Sequence, residues 1–404
     1  MEARYLVMTT PEQNHNKYYR MIPGKNGIWT AEYGRVGSAG IKRQYPNKLF
    51  NQKLNEKLSK GYVDQTDFHV VTTTASSSSS KYKEIEDKAV KNLIDWLLET
   101  NGQIITNSYS VCAHDVTEEA VKEARRLLSS AALTDDVGIF NNLLTKAFSV
   151  VPRRMSNVSD YLLTSISEAN KVLERENDIL DAMATSVAGN VKQNKVKNDA
   201  STTILDAFGL NVSEVTENEF KKVVSHLDDV TKGKVDKVFH ITNAESRKRF
   251  DAYCKEKKFD RGGIKYLYHG SRNQNYWPIV TQGLKLRPSM KIQRAGNMFG
   301  YGLYFAPKAQ KSAGYTSLNG SYWTNRLGGS CGNKAALLVY KVAMGKSRHL
   351  YAYSPEVSNW HEKDCKRGGY DSVYAHAGRD LRNDECIVYN EDACTLSYMI
   401  TLKN

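Results

Sequence analysis

Nine residues from Thr72 to Ser80, TTTASSSSS, contain no apolar side chain larger than alanine. Such a stretch has nothing to bury and cannot offset the entropy of being ordered. A chain interrupted this way folds as separate units on either side. Its 404 residues are enough for roughly two to four domains. The pattern on each side divides the chain into 1–71, a linker at 72–80, 81–222 and 223–404.

Charge follows the same division. Residues 1–80 hold 11 Lys and Arg against 6 Asp and Glu, residues 81–222 hold 17 against 22, and residues 223–404 hold 29 against 16. Net charges of +5, −5 and +13 result. Basic first and last segments suit polyanionic partners, nucleic acid foremost. The acidic middle favours docking against basic neighbours.

Residues 3–71 read as strands followed by one helix. ARYLVMTT, YYRMI and IWTAEYGRVG are aromatic and aliphatic runs between turn residues. From Asn47 to Ser59, Leu49, Phe50, Leu54 and Leu58 share a helical face. Residues 81–222 read as helical, with Ile85, Ala89, Leu93 and Leu97 on one stripe. A second helix opens at Thr117, with Glu118 and Glu119 at its positive end. A third opens at the capping box Ser165-x-x-Glu168 and turns Ile166, Ala169, Leu173, Leu180 and Met183 inward. The polar run Asn190 to Ser201 reads as a loop, and Thr216-x-x-Glu219 as a further capping box. From Val235 the texture is α+β: VDKVFHIT, IKYLYHG, GLYFA, KAALLVYKVAM, ECIVY and LSYMITL read as strands. AESRKRFDAYCKE and NYWPIVTQG read as short helices between them.

Several function classes are set aside. No apolar run approaches the ~18 residues needed to span a bilayer. MEARYLVMTT lacks a basic stretch followed by an apolar one, so an intracellular protein without a signal peptide is expected. The six cysteines, Cys112, Cys254, Cys331, Cys365, Cys386 and Cys394, form no CxxC pair and no zinc-finger spacing with histidines. Reduced thiols and no metal are expected. Neither GxGxxG after a strand nor GxxxxGK[ST] occurs, so no standard phosphate loop is present. The glycine-rich run from Gly296 to Gly302 is by itself as compatible with a turn entering a strand.

Chemistry-bearing residues nevertheless concentrate in two places. One holds His269-Gly270-Ser271-Arg272 at a strand end, Gly302 to Ala306, and Lys311-Ser312 with Tyr315. The other is Asp384-Glu385 opening a strand that ends at Tyr389. YLYHGSRNQNYWPIVTQGLKLRP, GNMFGYGLYFAPKAQKSAGY and NDECIVYN together resemble the NAD-binding strand, central signature and catalytic-glutamate strand of the poly(ADP-ribose) polymerase family, in family order. Upstream, TEEAVKEARRLLSS, LLTKAFSVVP and LDAFGLNVSEV resemble its helical regulatory domain. NGIWTAEYGRVGSAGIKRQYP resembles its WGR domain, with Tyr33 where tryptophan is usual, then Gly34 and Arg35.

The resemblance covers nearly the whole chain and implies an α+β multidomain protein. It would comprise a small β-rich WGR domain, an all-α regulatory domain, and an α+β transferase domain built on antiparallel sheets. The implied reaction splits nicotinamide from NAD, the substrate, through an oxocarbenium-like sugar. That chemistry needs a grip on nicotinamide, a grip on ribose hydroxyls, and negative charge near the developing cation. By resemblance, Gly270 holds the nicotinamide amide through its backbone and Ser312 through its hydroxyl, while Tyr315 and Tyr304 flank the ring. His269, helped by Ser271, binds the adenosine ribose. Glu385 takes a hydrogen bond from the nicotinamide ribose; it is preferred over Asp384 because it lies four residues before Tyr389. Lys311 lines the acceptor side or pairs with a carboxylate.

His269, Tyr304 and Glu385 match the family triad. Lys285 replaces an arginine frequent on the adenine side, and the short segment from Tyr351 to Glu385, containing GGYDSVYAHAG, is nearer the mono-transferase-like branches. In the WGR-like unit, Tyr33, Arg35, Lys42 and Arg43 are the expected DNA contacts. The implied partners are DNA nicks or ends, protein acceptors including the chain itself, and an accessory protein completing the active site; no membrane is among them. The location is nuclear in a eukaryote, otherwise cytoplasmic or at the nucleoid. The competing readings are a mono-ADP-ribosyltransferase of the same fold and a non-catalytic DNA-binding scaffold.

Overall fold

The computed structural model describes residues 1–70, 82–195, 202–259, 261–286, 298–318 and 332–404. The expected linker at 72–80, the end of the expected loop at 196–201, and Gly296 lie outside these. The described residues fall into two compact units. One takes residues from 1–81 and 102–197, the other from 82–101 and 198–404 apart from a few.

In the N-terminal unit, β1 (Arg4–Thr10), β2 (His15–Pro23), β3 (Ile28–Arg35), β4 (Ile41–Pro46) and β5 (Val63–Asp64) form an antiparallel sheet in the order β4-β3-β2-β1-β5. The β2–β3 turn uses Asn26 and Gly27, both at positive φ. Helix α1 (Phe50–Ser59) packs Phe50 and Leu54 against Leu6, Tyr19, Met21 and Trp29. Leu58, expected on the same face, is 40% exposed. It sits in the last turn, where the chain leaves the sheet for Gly61.

The helical part of this unit holds the end of α2 (Lys88–Ser108) with α3 (Glu118–Ala131), α4 (Val137–Val150) and α5 (Ala169–Lys195). Thr117 caps α3 through Ala120 N–H at 3.1 Å, and Asp136 caps α4 through Ile139 N–H. Ala169, Leu173, Leu180 and Met183 are buried as the stripe requires. Two details differ from expectation. Ser165 accepts from Ser167 N–H and opens a 3-10 turn ahead of α5, so it does not close a capping box with Glu168. Residues 190–195 continue α5 rather than entering a loop.

The C-terminal unit begins with the first turns of α2, whose Val90, Leu93, Ile94 and Leu97 join its core. It continues with α6 (Ile204–Phe208), β6 (Leu210–Glu214), α7 (Glu217–Ser225), α8 (Asp229–Lys232), β7 (Val235–Asn243), α9 (Ala244–Lys257), β8 (Ile264–Gly270) and α10 (Tyr276–Gln282). Then come β9 (Leu303–Phe305), α11 (Ala309–Ala313), β10 (Lys334–Ala343), β11 (Ser347–Leu350), β12 (Ser372–Ala375), β13 (Glu385–Val388) and β14 (Cys394–Lys403). The strands make an antiparallel sheet β6-β7-β14-β10-β8 and a smaller sheet β11-β12-β13-β9, antiparallel except for the β11–β12 pair. Strand β6 lies within the stretch that reads as helical; it pairs with β7 as an edge of the larger sheet. Side chains alternate across a strand. Thus Leu303, Phe305, Cys386 and Val388 enter the core shared with the larger sheet, while Val373, Ala375 and Ile387 pack with Phe299, Val357 and Trp360 on the other side.

No helix among the described residues is long and apolar enough to cross a membrane. One group of ligand-type side chains, Cys112, His114 and Asp115, comes within 4.8 Å on a single turn.

Candidate active site

Three sequence-distant blocks meet where β8, β9, α11 and β13 come together. Paired bonds between Tyr268 and Ala306 (2.8 and 2.9 Å) join β8 to the chain leaving β9. Strand β9 pairs antiparallel with β13, Cys386 opposite Phe305. Helix α11 lies on β8, its buried Ser312 Oγ donating to the Tyr268 carbonyl at 3.0 Å.

Gly270 ends β8 where that helix crosses. A Cβ there would run into the Ser312 carbonyl oxygen, with its carbon only 2.8 Å away. Only glycine lets the two backbones approach this closely. The following turn is pinned by Tyr276, whose buried hydroxyl donates to the Ser271 carbonyl at 2.7 Å and also reaches the Ala336 carbonyl. Ser271 Oγ accepts from Asn275 Nδ2 at 3.1 Å. Tyr276 is a supporting residue that the sequence reading missed; its one signal is a tyrosine opening an otherwise apolar helix.

His269 Nδ1 donates to the Tyr304 carbonyl at 3.0 Å. Burial lowers the pKa of the ring, opposed by that bond. The neutral tautomer carrying its proton on Nδ1 leaves Nε2 as an acceptor. The Tyr304 hydroxyl is anchored on the Gly300 carbonyl (2.8 Å) and the Phe299 N–H (3.1 Å). Tyr315 is exposed three residues beyond Ser312.

The two adjacent acids differ in their surroundings. Asp384 accepts from Ala377 N–H (2.7 Å) and the Tyr374 hydroxyl (2.8 Å). Burial raises its pKa, but those two bonds outweigh it and hold the carboxyl below its ordinary value. Asp384 therefore closes the 377–384 loop. Glu385 instead pairs with Lys311 of α11, both side chains only 13% exposed. Lys311 also reaches toward the Asn383 carbonyl at 3.5 Å. Lys285 lies apart from this cluster, paired with Glu391 at 2.9 Å.

The four residues expected at DNA do not form one patch. Lys42 and Arg43 sit on edge strand β4, exposed, their side chains on opposite faces of the sheet. Lys42 lies 4.0 Å from Glu32. Tyr33 stacks on Tyr19 at 5.4 Å, with the Lys57 ammonium over the pair. Arg35 directs its guanidinium to the carbonyls of Asn14, Met155 and Ser156 and to Asn14 Oδ1, at 2.5 to 3.3 Å. Its donors are turned to protein acceptors.

Two facing sheets with these side chains at their junction define an ADP-ribosyltransferase, an enzyme for which NAD is the substrate. The WGR domain profile matches residues 2–69, and that of the poly(ADP-ribose) polymerase catalytic domain matches residues 217–404. The putative poly [ADP-ribose] polymerase-like protein 100L of Invertebrate iridescent virus 6 is 30% identical over 199 residues, 47% of this chain and 97% of that protein. The uncharacterized protein 101L of the same virus is 32% identical over 197 residues, 48% of this chain and 81% of that protein. Poly [ADP-ribose] polymerase 1 of Xenopus laevis is 26% identical over 320 residues, 74% of this chain but 30% of that protein. The chain belongs to the poly(ADP-ribose) polymerase family and carries a WGR domain.

Proposed function

We propose that the chain is a DNA-activated transferase that modifies itself and nearby proteins with ADP-ribose, as polymer, in the response to DNA damage, in the nucleus of a eukaryotic cell. The observation carrying this is the junction itself: Gly270 against Ser312, His269 bonded to the Tyr304 backbone, and Glu385 paired with Lys311. In this reading Gly270 and Ser312 hold the nicotinamide amide, with Tyr315 and Tyr304 on either side of the ring. His269 Nε2 accepts from a hydroxyl of the adenosine ribose, and Ser271 assists. Glu385 accepts from the 2′-hydroxyl of the reacting ribose and stabilises the oxocarbenium. Lys311 lines the acceptor side. Family resemblance supports these roles, and so does the environment of Asp384, which is committed to its loop.

DNA ends or nicks are taken by residues 1–71, with Lys42 and Arg43 on phosphates and Tyr33 and Arg35 in supporting contact. The helical region restrains the transferase until DNA binds, and DNA shifts that equilibrium by its preference for the released state. An accessory protein that completes the site fits the same scheme. Mono-ADP-ribosylation is the second reading, favoured by the short segment between Tyr351 and Glu385.

The test uses the whole chain. A cut at residue 223 would remove β6 and the buried Val90, Leu93, Ile94 and Leu97 from the C-terminal core. Labelled NAD is supplied with and without a nicked duplex, and products are sized on a gel. Ladders that depend on DNA support polymer formation under DNA control, and single additions select the mono-transferase reading. Equal rates with and without DNA overturn the activation. Hydrogen exchange over Ile166 to Met183 should rise when DNA is added.

A further inference from the structure

The smaller sheet carries an unexplained feature on the face opposite Glu385. Strands β11 and β12 pair in parallel with His349 beside Tyr374, and His376 N–H continues the ladder to the Leu350 carbonyl at 2.7 Å. By alternation, His349, Tyr351, Tyr374 and His376 share one face. Glu385, opposite Ala375, is on the other. The four rings stack. Tyr351 and His376 are 4.4 Å apart at 4°, His349 and His376 5.0 Å at 22°, and His349 and Tyr374 5.4 Å at 25°. A hydrogen bond of 2.8 Å between His349 Nδ1 and His376 Nε2 locks the two imidazoles together. The Lys265 ammonium closes the far side, 5.1 Å from the Tyr374 ring.

This column ends in solvent. Tyr351 is 70% exposed although one face of its ring is covered by His376. A core has no use for an ordered tyrosine so exposed, whereas a planar ligand does: its ring can add to the stack. Positive charge is close, in Lys265 and in exposed Arg379 and Arg382 on the loop leaving His376. The acids of that loop are engaged, Asp384 as above and Asp380 by Tyr353 N–H and Arg379.

We infer that this column is a second nucleotide site, in which Tyr351 stacks the adenine of an ADP-ribosyl group already made by the enzyme. The choice of ADP-ribose over another nucleotide rests on the transferase reading. It is supported by continuity: the loop from His376 to Asp384, closed by Ala377 N–H to Asp384 and Gly378 N–H to the Leu381 carbonyl, leads straight to Glu385. Both features thus stand at one end of the sheet. An adenine separated by two phosphates from the transferred ribose can reach round that end. The site holds product near the enzyme and is distinct from the pocket that opens NAD.

The experiment is calorimetric titration of the full-length protein with ADP-ribose. Two sites are expected in the wild type, one at the NAD pocket and one at the column. Tyr351→Ala with His376→Ala should weaken the second by roughly tenfold or more, leaving the first and the KM for NAD unchanged. Tyr351→Trp should keep both. A single site in the wild type that survives the double substitution overturns the inference. So does tighter binding of an unstructured oligonucleotide than of ADP-ribose at the column. Were the transferase reading wrong, the wild type would show only the column's site, and the double substitution would abolish it.

Discussion

Replacing Gly270 with alanine tests whether the end of β8 must lie against the backbone of α11. The added Cβ would meet the Ser312 carbonyl, with its carbon at 2.8 Å and Thr316 Cγ2 at 3.4 Å. The obstacle is backbone, so no rotamer change relieves it, and α11 must withdraw by roughly an ångström. The helix is five residues long, fastened by Ser312 Oγ to the Tyr268 carbonyl. Lys311 moves with it and draws on Glu385. Misplacing reacting groups by that distance costs on the order of 10²-fold in rate. Overpacking costs ~1–3 kcal/mol of stability. Gly270→Ala should therefore fold, lose ~1–3 kcal/mol in urea unfolding and consume NAD about 100-fold more slowly. Ser312→Ala, which removes the hydrogen bond without adding bulk, should cost ~1 kcal/mol and separates bonding from packing. A folded Gly270→Ala enzyme with a rate within about threefold of wild type would refute the reasoning.

Glu385→Gln keeps shape and loses charge, so transfer should fall by about 10²-fold or more while NAD affinity changes little. Asp384→Asn should act chiefly on the 377–384 loop, and the reverse pattern would reassign the acid. Binding of a nicked duplex should weaken steeply with salt and depend little on sequence. Lys42→Ala with Arg43→Ala should shallow the salt slope by roughly two counter-ions, and an unchanged slope counts against phosphate contact. His69 is buried in the N-terminal unit, its Nε2 donating to the Val150 carbonyl at 3.1 Å, and burial lowers its pKa to about 4. The unfolded chain takes up that proton near pH 6.5, as an unperturbed histidine does. The folded form resists it, so the contribution of His69 is complete above about pH 6.5 and is lost as pH falls toward 4. Urea unfolding of the wild type at pH 7 and pH 5 should show this loss, by at most ~1.4 kcal/mol per pH unit. His69→Asn should flatten it.

Much of the fold was legible because burial leaves a pattern. KAALLVYKVAM and LSYMITL are near-continuous apolar runs because β10 and β14 are central strands covered on both sides. Strand β6 escaped notice because it is a five-residue edge strand whose exposed positions, Asn211, Ser213 and Glu214, resemble a polar connection between helices. Residues 190–195 escaped for the opposite reason: their polarity suggested a loop, yet none is proline and α5 continues through them. The three blocks of the candidate site stood out as local motifs. What they touch did not, since Lys311 and Glu385 lie 74 residues apart. Arg35 shows the same limit, its partners Met155 and Ser156 lying 120 and 121 residues on. Local pattern marks a residue as unusual, and only the assembled chain says where its donors go.

The pairing of Glu385 with Lys311 carries a last expectation. A carboxylate that stabilises an oxocarbenium must be ionised before the sugar becomes cationic. In a position this enclosed, water alone supports the charge poorly. The Lys311 ammonium supplies the counter-charge from a helix fixed on β8, so the substrate meets an anion already in place. Removing the ammonium leaves the carboxylate enclosed and unpaired, the costly half of a broken ion pair. A carboxylate in that state takes up a proton more readily. Lys311→Met should thus lower NAD consumption, and the deficit should be largest at acid pH and shrink as pH rises. The assay is the rate of NAD consumption from pH 5.5 to 9 in the wild type, Lys311→Met and Lys311→Arg. The arginine variant restores the charge and should recover the wild-type profile even if its absolute rate is lower. A uniform loss across pH in Lys311→Met would mean that the lysine acts through packing or on the acceptor, and that Glu385 holds its charge without it.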